Sequence, residues 1–206
     1  MPELATYSEV AICNLALQDI GRGSFITALD EDTQAARVMR LRLPYSRDAV
    51  LRSFPWNFAQ RRASLAALAV PPIFEFANVY ELPADVLWLH TVFGGNAQDW
   101  RVEGRQVVTD MGTPLLIKYT VRVTDLATAD PMFCTVLAAR LAADCAMTLT
   151  ETASKAQQLW QVYSSKLREA RAVDSQEGQP DELQAGSWND VRYSNEFPRY
   201  SDWDGN

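Results

Sequence analysis

The stretch Tyr45–Leu65, YSRDAVLRSFPWNFAQRRASL, divides the chain into a helical part and a β part. It opens as the end of a helix, with Tyr45, Ala49 and Arg52 on one side and Val50 and Leu51 on the next. The pattern stops at Phe54-Pro55, because a proline pushes the residue before it out of the α region. Trp56 and Phe58 come next, two positions apart, which is strand spacing. Both are large apolar anchors, expected in the core where the two parts join. Everything before this stretch reads as helix, and most of the chain after it, to about residue 129, reads as sheet.

Four β signals lie in that second part. Ile73–Tyr80, after Pro71-Pro72, is aromatic and β-branched and predicts a strand. Val86–Phe93 follows the turn Leu82-Pro83-Ala84-Asp85 and predicts another. Trp100–Val102 and Gln106–Val108 flank Glu103-Gly104-Arg105 and read as a tight hairpin. From Leu115 to Val123 the odd positions are apolar, and the even positions Lys118, Thr120 and Arg122 are polar. That is a half-buried strand of an antiparallel sheet. His90, the only histidine, lies inside a strand pattern and reads as structural.

Helices flank the sheet. Thr6-Tyr7-Ser8-Glu9 has capping-box form, and Ile12, Leu15, Ala16 and Ile20 predict an amphipathic helix ended by Gly21. Gly21-Arg22-Gly23-Ser24 follows a helix and lacks a phosphate loop's third glycine and lysine, so it reads as a turn. A second helix runs from a cap at Asp32 or Thr33 to about Ser53, with Pro44 as a possible bend. Asp130-Pro131 starts a third, nearly all-round apolar helix, whose polar residues Arg140, Asp144 and Thr148 form one narrow stripe. A break at Thr150-Glu151-Thr152 leads to a fourth, expected to end near Val173 and to pack antiparallel on the third. The expected fold class is α+β. Residues 1–53 and 130–173 form a helical bundle, an antiparallel β domain at 54–129 is inserted between its halves, and 174–206 is an extended C-terminal arm.

Hydrophobic content of 48% and charge of 22% are ordinary for a globular chain of 206 residues. No run of eighteen apolar residues occurs, and MPELATYSEV does not have the form of a secretory signal. Cys13, Cys134 and Cys145 are odd in number and lack CxxC spacing, so buried free thiols in a reducing cytoplasm are expected. Residues 174–206 hold eight acids and two arginines, which is -6 of the total -7. By contrast, 37–62 holds seven arginines and one acid, Asp48. Such asymmetry points to two surfaces with different partners, or to the tail of one copy meeting the basic patch of another.

The arginines at 37, 40, 47 and 52 mostly lie opposite Ala36, Val38, Met39, Leu43 and Val50. They form either a solvated helix face or a contact with an acidic partner. In the tail, Trp188, Tyr193, Phe197, Tyr200 and Trp203 are set into a polar stretch interrupted by glycines and prolines. Burying these rings against one another falls short of the backbone entropy of ordering some thirty residues. The tail therefore needs a surface. That surface is its own domain or, on the preferred reading, a partner whose pockets take the aromatic anchors. No G-x-S-x-G, H-E-x-x-H or Cys–His signal is present, and the acid pairs Glu31-Asp32 and Asp181-Glu182 read as capping and solubility features. An enzyme is not expected.

Several pieces in order carry a resemblance: N-x-A-L-x-x-I-G (Asn14–Gly21), V-L-R-S-F-P-W-N-F-A (Val50–Ala59), Y-x-L-P-A-D (Tyr80–Asp85), W-R-V-E-G-R (Trp100–Arg105), I-K-Y (Ile117–Tyr119) and the final helical pair. Together they resemble the tail tubular protein A family, the head-to-tail adaptors of short-tailed bacteriophages, over nearly all of 8–173. The resemblance implies a non-enzymatic virion protein of the tail neck, made in the host cytoplasm, without cofactor, metal or membrane. It implies a bundle docked beneath the portal protein, a β domain facing the tail nozzle protein, and a homo-oligomeric, dodecameric ring. Genomic DNA would pass through that ring without specific binding. It also implies a C-terminal extension that reaches into the portal, which makes Trp188, Tyr193, Phe197, Tyr200 and Trp203 of the aromatic tail the candidate portal contacts. From their position on the second helix, Arg37, Arg40, Arg47 and Arg52 are the candidate subunit or portal surface. The alternative is a nucleic-acid-binding protein that uses the arginine-rich second helix.

Overall fold

A computed structural model describes residues 7–23, 25–94 and 99–177. Among the described residues, four α-helices and six strands make an α+β fold, in the order α1 (Glu9–Ile20), α2 (Gln34–Ser53), β1 (Gln60–Leu65), β2 (Asn78–Glu81), β3 (Val86–Phe93), β4 (Trp100–Glu103), β5 (Gln106–Thr109), β6 (Leu115–Val121), α3 (Pro131–Thr150) and α4 (Ala153–Glu177). The helices before and after the strands share one core.

Local chemistry sets the helix ends. Ser8, two residues beyond the start of the expected capping box, caps α1 by accepting from the Ala11 amide. Gly21 ends that helix in the left-handed region at φ 92, its N–H bonded to Gln18 and Leu17 carbonyls, so the glycine loop is a C-cap. Thr33 caps α2 through the Ala36 amide, and α2 runs unbroken through Pro44. Asp130 caps α3 by accepting from the Met132 and Phe133 amides, ahead of Pro131 in the first turn. Asn14, from the opening motif, donates to the Ile26 carbonyl and accepts from the Ile26 amide, 2.9 Å each, and so pins the α1–α2 loop.

The central element is α3, which packs against α1, α2 and α4. It has the length and mean hydropathy, 1.5, of a membrane-spanning helix, but most of it is buried against the other three. Alanines 138, 139, 142, 143 and 146 are all buried, which lets the neighbours approach closely. After the two-residue break, α4 folds back along α3 and continues to Glu177, four residues beyond its expected end. Residues 174–177, assigned to the arm from sequence, are therefore helical. Asp174 is buried, with its carboxylate accepting from the Asn57 amide at 3.1 and 3.2 Å.

Phe54 ends α2 in extended geometry, as its following proline requires. Trp56 and Phe58 do not lie on a strand: Asn57–Ala59 is a 3-10 turn, and the sheet begins at Gln60. Spacing of two fits both structures, and the tight turn prevails because it directs both rings into the bundle. Trp56 and Phe58 stack edge-on against Phe133 of α3, with centroids 5.4 and 5.0 Å apart. Trp56, Ala59, Leu126 and Ala129 all belong to the helical core.

The strands form two antiparallel three-stranded sheets, ordered β1-β6-β3 and β2-β5-β4. A second core lies between them, built from Leu65, Leu89, Val92, Ile117 and Tyr119 of one sheet and Tyr80 and Val107 of the other. Leu115, Ile117, Tyr119 and Val121 are buried, as the alternation predicts. The opposite face differs at Thr120, which is fully buried beneath His90 with Nε2 2.6 Å from its Oγ1. The β4–β5 hairpin turns at Gly104, φ 61, as expected. The strand expected at Ile73–Tyr80 exists only from Asn78 onward.

Candidate interaction surfaces

Three surfaces stand out, and the first lies on α2. Positions 37, 41, 45 and 52 recur on one side of the helix, opposite the buried Ala36, Met39, Leu43 and Val50. Arg37, Arg40, Arg42 and Arg52 are exposed. Arg37 pairs with Asp32 at 2.9 Å, a surface bridge of little energetic weight. Among these cations stand two large apolar side chains, Leu41 at 66% and Tyr45 at 70% exposure. Arg47 departs from the expected surface role. Only 8% exposed, it points into the bundle, where Nη1 meets Glu9 of α1 at 3.0 Å and the Thr124 carbonyl at 3.4 Å. Its position, ten residues after Arg37, carries it round the helix to the buried side.

The second surface is the 66–77 connection, whose last part, from Ile73 on, the sequence pattern mistakes for a strand. Ile73 is 99% and Phe74 77% exposed, with Val70 exposed beside them. This apolar loop is held firmly at its base. The Leu68 amide bonds to the Val79 carbonyl at 2.8 Å, and the Ala77 amide to Asp110 at 2.8 Å. At its tip Phe76 N–H closes a γ-turn on the Phe74 carbonyl at 3.0 Å, which places Glu75 at φ 74. A non-glycine residue there costs about 1–3 kcal/mol, which neighbouring contacts must offset. Arg101 supplies them, pairing with Glu75 at 2.8 Å and lying 5.7 Å from the Phe76 ring centre. Pro71-Pro72 and the absence of strict alternation were the available signals of a loop.

The third is a cleft of about 620 Å³ where bundle and sheet meet, lined by Phe54, Pro55, Asn57, Arg62, His90, Lys118 and Asp174. Burial raises the Asp174 carboxyl above its ordinary value, with bonding from the Asn57 amide opposing it and Glu177 and Asp130 adding to it. Burial and the nearby Lys118 lower the His90 imidazole. Thr120 and His90 have nucleophile–base spacing. The hydroxyl is nevertheless fully buried under the ring, which makes the pair a structural tie. Burial pushes the Cys13 and Cys145 thiols up to about 12 and Cys134 to about 11, so all three resist forming the reactive thiolate. Among the described residues no group of three or more His, Cys, Asp or Glu is placed to hold a metal ion.

No family model matches this sequence, and no curated protein matches it. The surfaces must therefore be read from their own chemistry. Of the residues singled out in the sequence, Arg37 and Arg52 lie on the side of α2 that carries Leu41 and Tyr45, Arg40 is exposed at its edge, and Arg47 is buried. Trp188, Tyr193, Phe197, Tyr200 and Trp203 lie outside the described residues. Leu41, Tyr45 and the Val70–Phe74 loop were missed, since a single chain offers no periodic signal for an apolar residue meant to stay exposed.

Proposed function

We propose that this chain is a ring-forming head-to-tail adaptor of a short-tailed bacteriophage, joining the portal to the tail nozzle around the DNA channel. The observation that carries this reading is a pair of separate apolar surfaces, one on each part of the molecule. Leu41 and Tyr45 lie among arginines on α2 of the bundle, and Val70, Ile73 and Phe74 project from the β part. Exposed apolar groups held by rigid structure mark contacts with other proteins. β1 starts beside the helical core at Gln60 and leads away from it, towards the loop. A connector needs two such faces, one for the structure above and one for the structure below. The sequence resemblance supplies the identity of those structures. The Arg37, Arg40 and Arg52 surface then meets a portal or a neighbouring subunit, and the aromatic C-terminal arm anchors on the portal.

Light scattering after size exclusion, alone and with portal, tests the proposal. The expected result is a ring by itself or a stoichiometric complex on the portal. A monomer that ignores the portal overturns it. The second reading is nucleic-acid binding through α2, favoured by the exposure of Arg37, Arg40, Arg42 and Arg52 on one helix. It predicts tight DNA binding that weakens steeply with salt. The adaptor reading predicts weak binding throughout.

A further inference from the structure

The β1-β6-β3 sheet buries one face against its partner sheet and leaves the other open. Three cross-strand rows cross the open face, starting at the bundle: Gln60–Thr120–Trp88, then Arg62–Lys118–Thr91, then Ser64–Leu116–Phe93. The first row lies by the cleft, which Gln60 lines together with Asn57 and Asp174, and its Thr120 is buried beneath His90. The second presents two cations. The third presents Leu116 and Phe93, 48% and 46% exposed, over an apolar hollow of about 480 Å³. Cations followed by an uncovered apolar hollow make a surface built for an acidic, aromatic segment.

The chain contains such a segment and delivers it to this place. Asp174 and Ser175 line the cleft at the first row, and α4 ends two residues later at Glu177. Residues 178–206 carry six acids, two arginines and five aromatic rings. Their net charge of -4 complements Arg62 and Lys118. The rows from Thr120 to Leu116 span four residues, about 13 Å at strand rise. An extended chain covers about 3.3 Å per residue, so the segment crosses the face with most of its length to spare. A segment tethered at the rim meets the face at a roughly millimolar effective concentration, far above that of a second molecule in dilute solution.

We propose that in the isolated subunit the open face of the β1-β6-β3 sheet is occupied by segment 178–206 of the same chain. Its carboxylates pair with Arg62 and Lys118, and its aromatic side chains cover Leu116 and Phe93. This inference concerns the free subunit and stands or falls whether or not a ring forms. If the adaptor reading holds, a partner that takes the arm displaces it from this face.

Zero-length carbodiimide coupling of the full-length protein at low micromolar concentration tests it, with equal amounts of ¹⁵N-labelled and unlabelled chain. The sequence has three lysines, Lys118, Lys155 and Lys166. Lys166 lies 3.5 Å from Asp19 and provides the internal standard. The expected result is an amide between Lys118 and an Asp or Glu of 178–206, found in all-light and all-heavy peptide pairs. Arg62→Glu is expected to reduce that product several-fold while the Lys166–Asp19 product is unchanged. Three results overturn the proposal: the standard forming without the Lys118 product, Lys155 capturing the segment as often as Lys118, or mixed light–heavy pairs. The last assigns the face to the arm of another copy.

Discussion

The two cores of this molecule fix their internal geometry by different means. In the β core, alternation and ladder hydrogen bonds set the register, because a slip of one residue would turn Ile117 and Tyr119 outward. Few polar side chains are needed there, and Tyr80 and Thr109 simply bond to the Met111 and Asp99 carbonyls. The helical core has no such ladder between its elements. Its central helix presents alanines, whose shallow ridges define the sliding of a neighbour only weakly. Directional polar contacts supply the missing definition. Ser46 of α2 donates to Asp144 of α3 at 2.7 Å, and Arg140 Nε donates to the same oxygen at 2.9 Å. The Arg140 guanidinium then lies 4.7 Å from the Trp160 ring centre and 5.3 Å from that of Tyr163, both on α4. One polar chain thus ties three helices together.

The largest test of this contrast is to hollow out the bundle. Phe133→Ala removes the ring on which Trp56 and Phe58 stack and is expected to cost about 3–5 kcal/mol in denaturant unfolding. Leu87 and Val123 of the β part pack on the same core, so the β signal should be lost in the same transition. A sheet that persists after the helices melt would show that the cores fold separately. Next comes the polar tie. Asp144→Ala strands Ser46 and Arg140 and is expected to cost about 2–3 kcal/mol, with Asp144→Asn recovering part by keeping the Ser46 bond. A neutral Asp144→Ala would refute the idea that this contact defines helix register.

A smaller effect separates burying a charge from needing it. Arg47 and Glu9 pair at 3.0 Å, yet the Arg47 Nε has no hydrogen-bond partner. Arg47→Met is expected to be nearly neutral, since desolvation offsets much of such a pair's attraction. Glu9→Ala leaves the guanidinium buried without its carboxylate and is expected to cost about 1–2 kcal/mol, discounted because Glu9 is partly exposed. The reverse order in urea melts would contradict the burial argument.

The same contrast governs what the sequence disclosed. β6, with its alternation, and the β4–β5 hairpin, with its glycine turn, were legible because their signals are local, and β3 was legible from the Leu82-Pro83-Ala84-Asp85 turn that precedes it. Helix ends were legible because Thr33, Asp130 and Gly21 carry cap chemistry. Trp56 and Phe58 misled because spacing of two does not distinguish a strand from a tight turn entering a distant core. Ile73 and Phe74 misled because composition states what a side chain prefers, and these two are held in solvent by contacts from Asp110 and Arg101, remote in sequence. Arg47 misled because, two turns after the exposed Arg40, it lies on nearly the same side of α2, and only contacts remote in sequence, Glu9 and the Thr124 carbonyl, bury it. On the surfaces themselves, the exposure of Arg37, Arg40 and Arg52 was legible, while the burial of Arg47 and the exposed Leu41 and Tyr45 were not.

At the cleft between the two cores, pH acts in opposite senses on two groups. His90 has a folded pKa below its ordinary 6.5, so the folded state favours neutral imidazole. Its contribution is present above 6.5 and is lost as pH falls through the depressed folded value. Asp174 has a folded pKa above its ordinary 3.8. Its contribution is full below 3.8 and is lost as pH rises through the raised value. Lowering the pH from 7 towards 5 should therefore weaken the protein through His90, and His90→Gln should flatten that part of the profile in thermal melts across pH. An unchanged slope would remove His90 as its source.

The smallest effect on stability comes from the loop, where the contrast between packing and presentation is sharpest. Ile73→Ser with Phe74→Ser removes side chains that touch little of their own chain, and its effect on unfolding is expected to stay within about 0.5 kcal/mol. If the proposed adaptor function holds, ring formation or attachment to the tail structure should nevertheless fall at least tenfold in light scattering at fixed concentration, because anchors of this kind carry a large share of interface energy. Arg101→Ala separates the tip's shape from its apolar surface. It frees Glu75 from the pair that offsets its left-handed geometry but leaves Ile73 and Phe74 in place. If rigid presentation matters, this variant also weakens assembly. If only apolar area matters, it assembles normally, and the strain at Glu75 has no part in recognition.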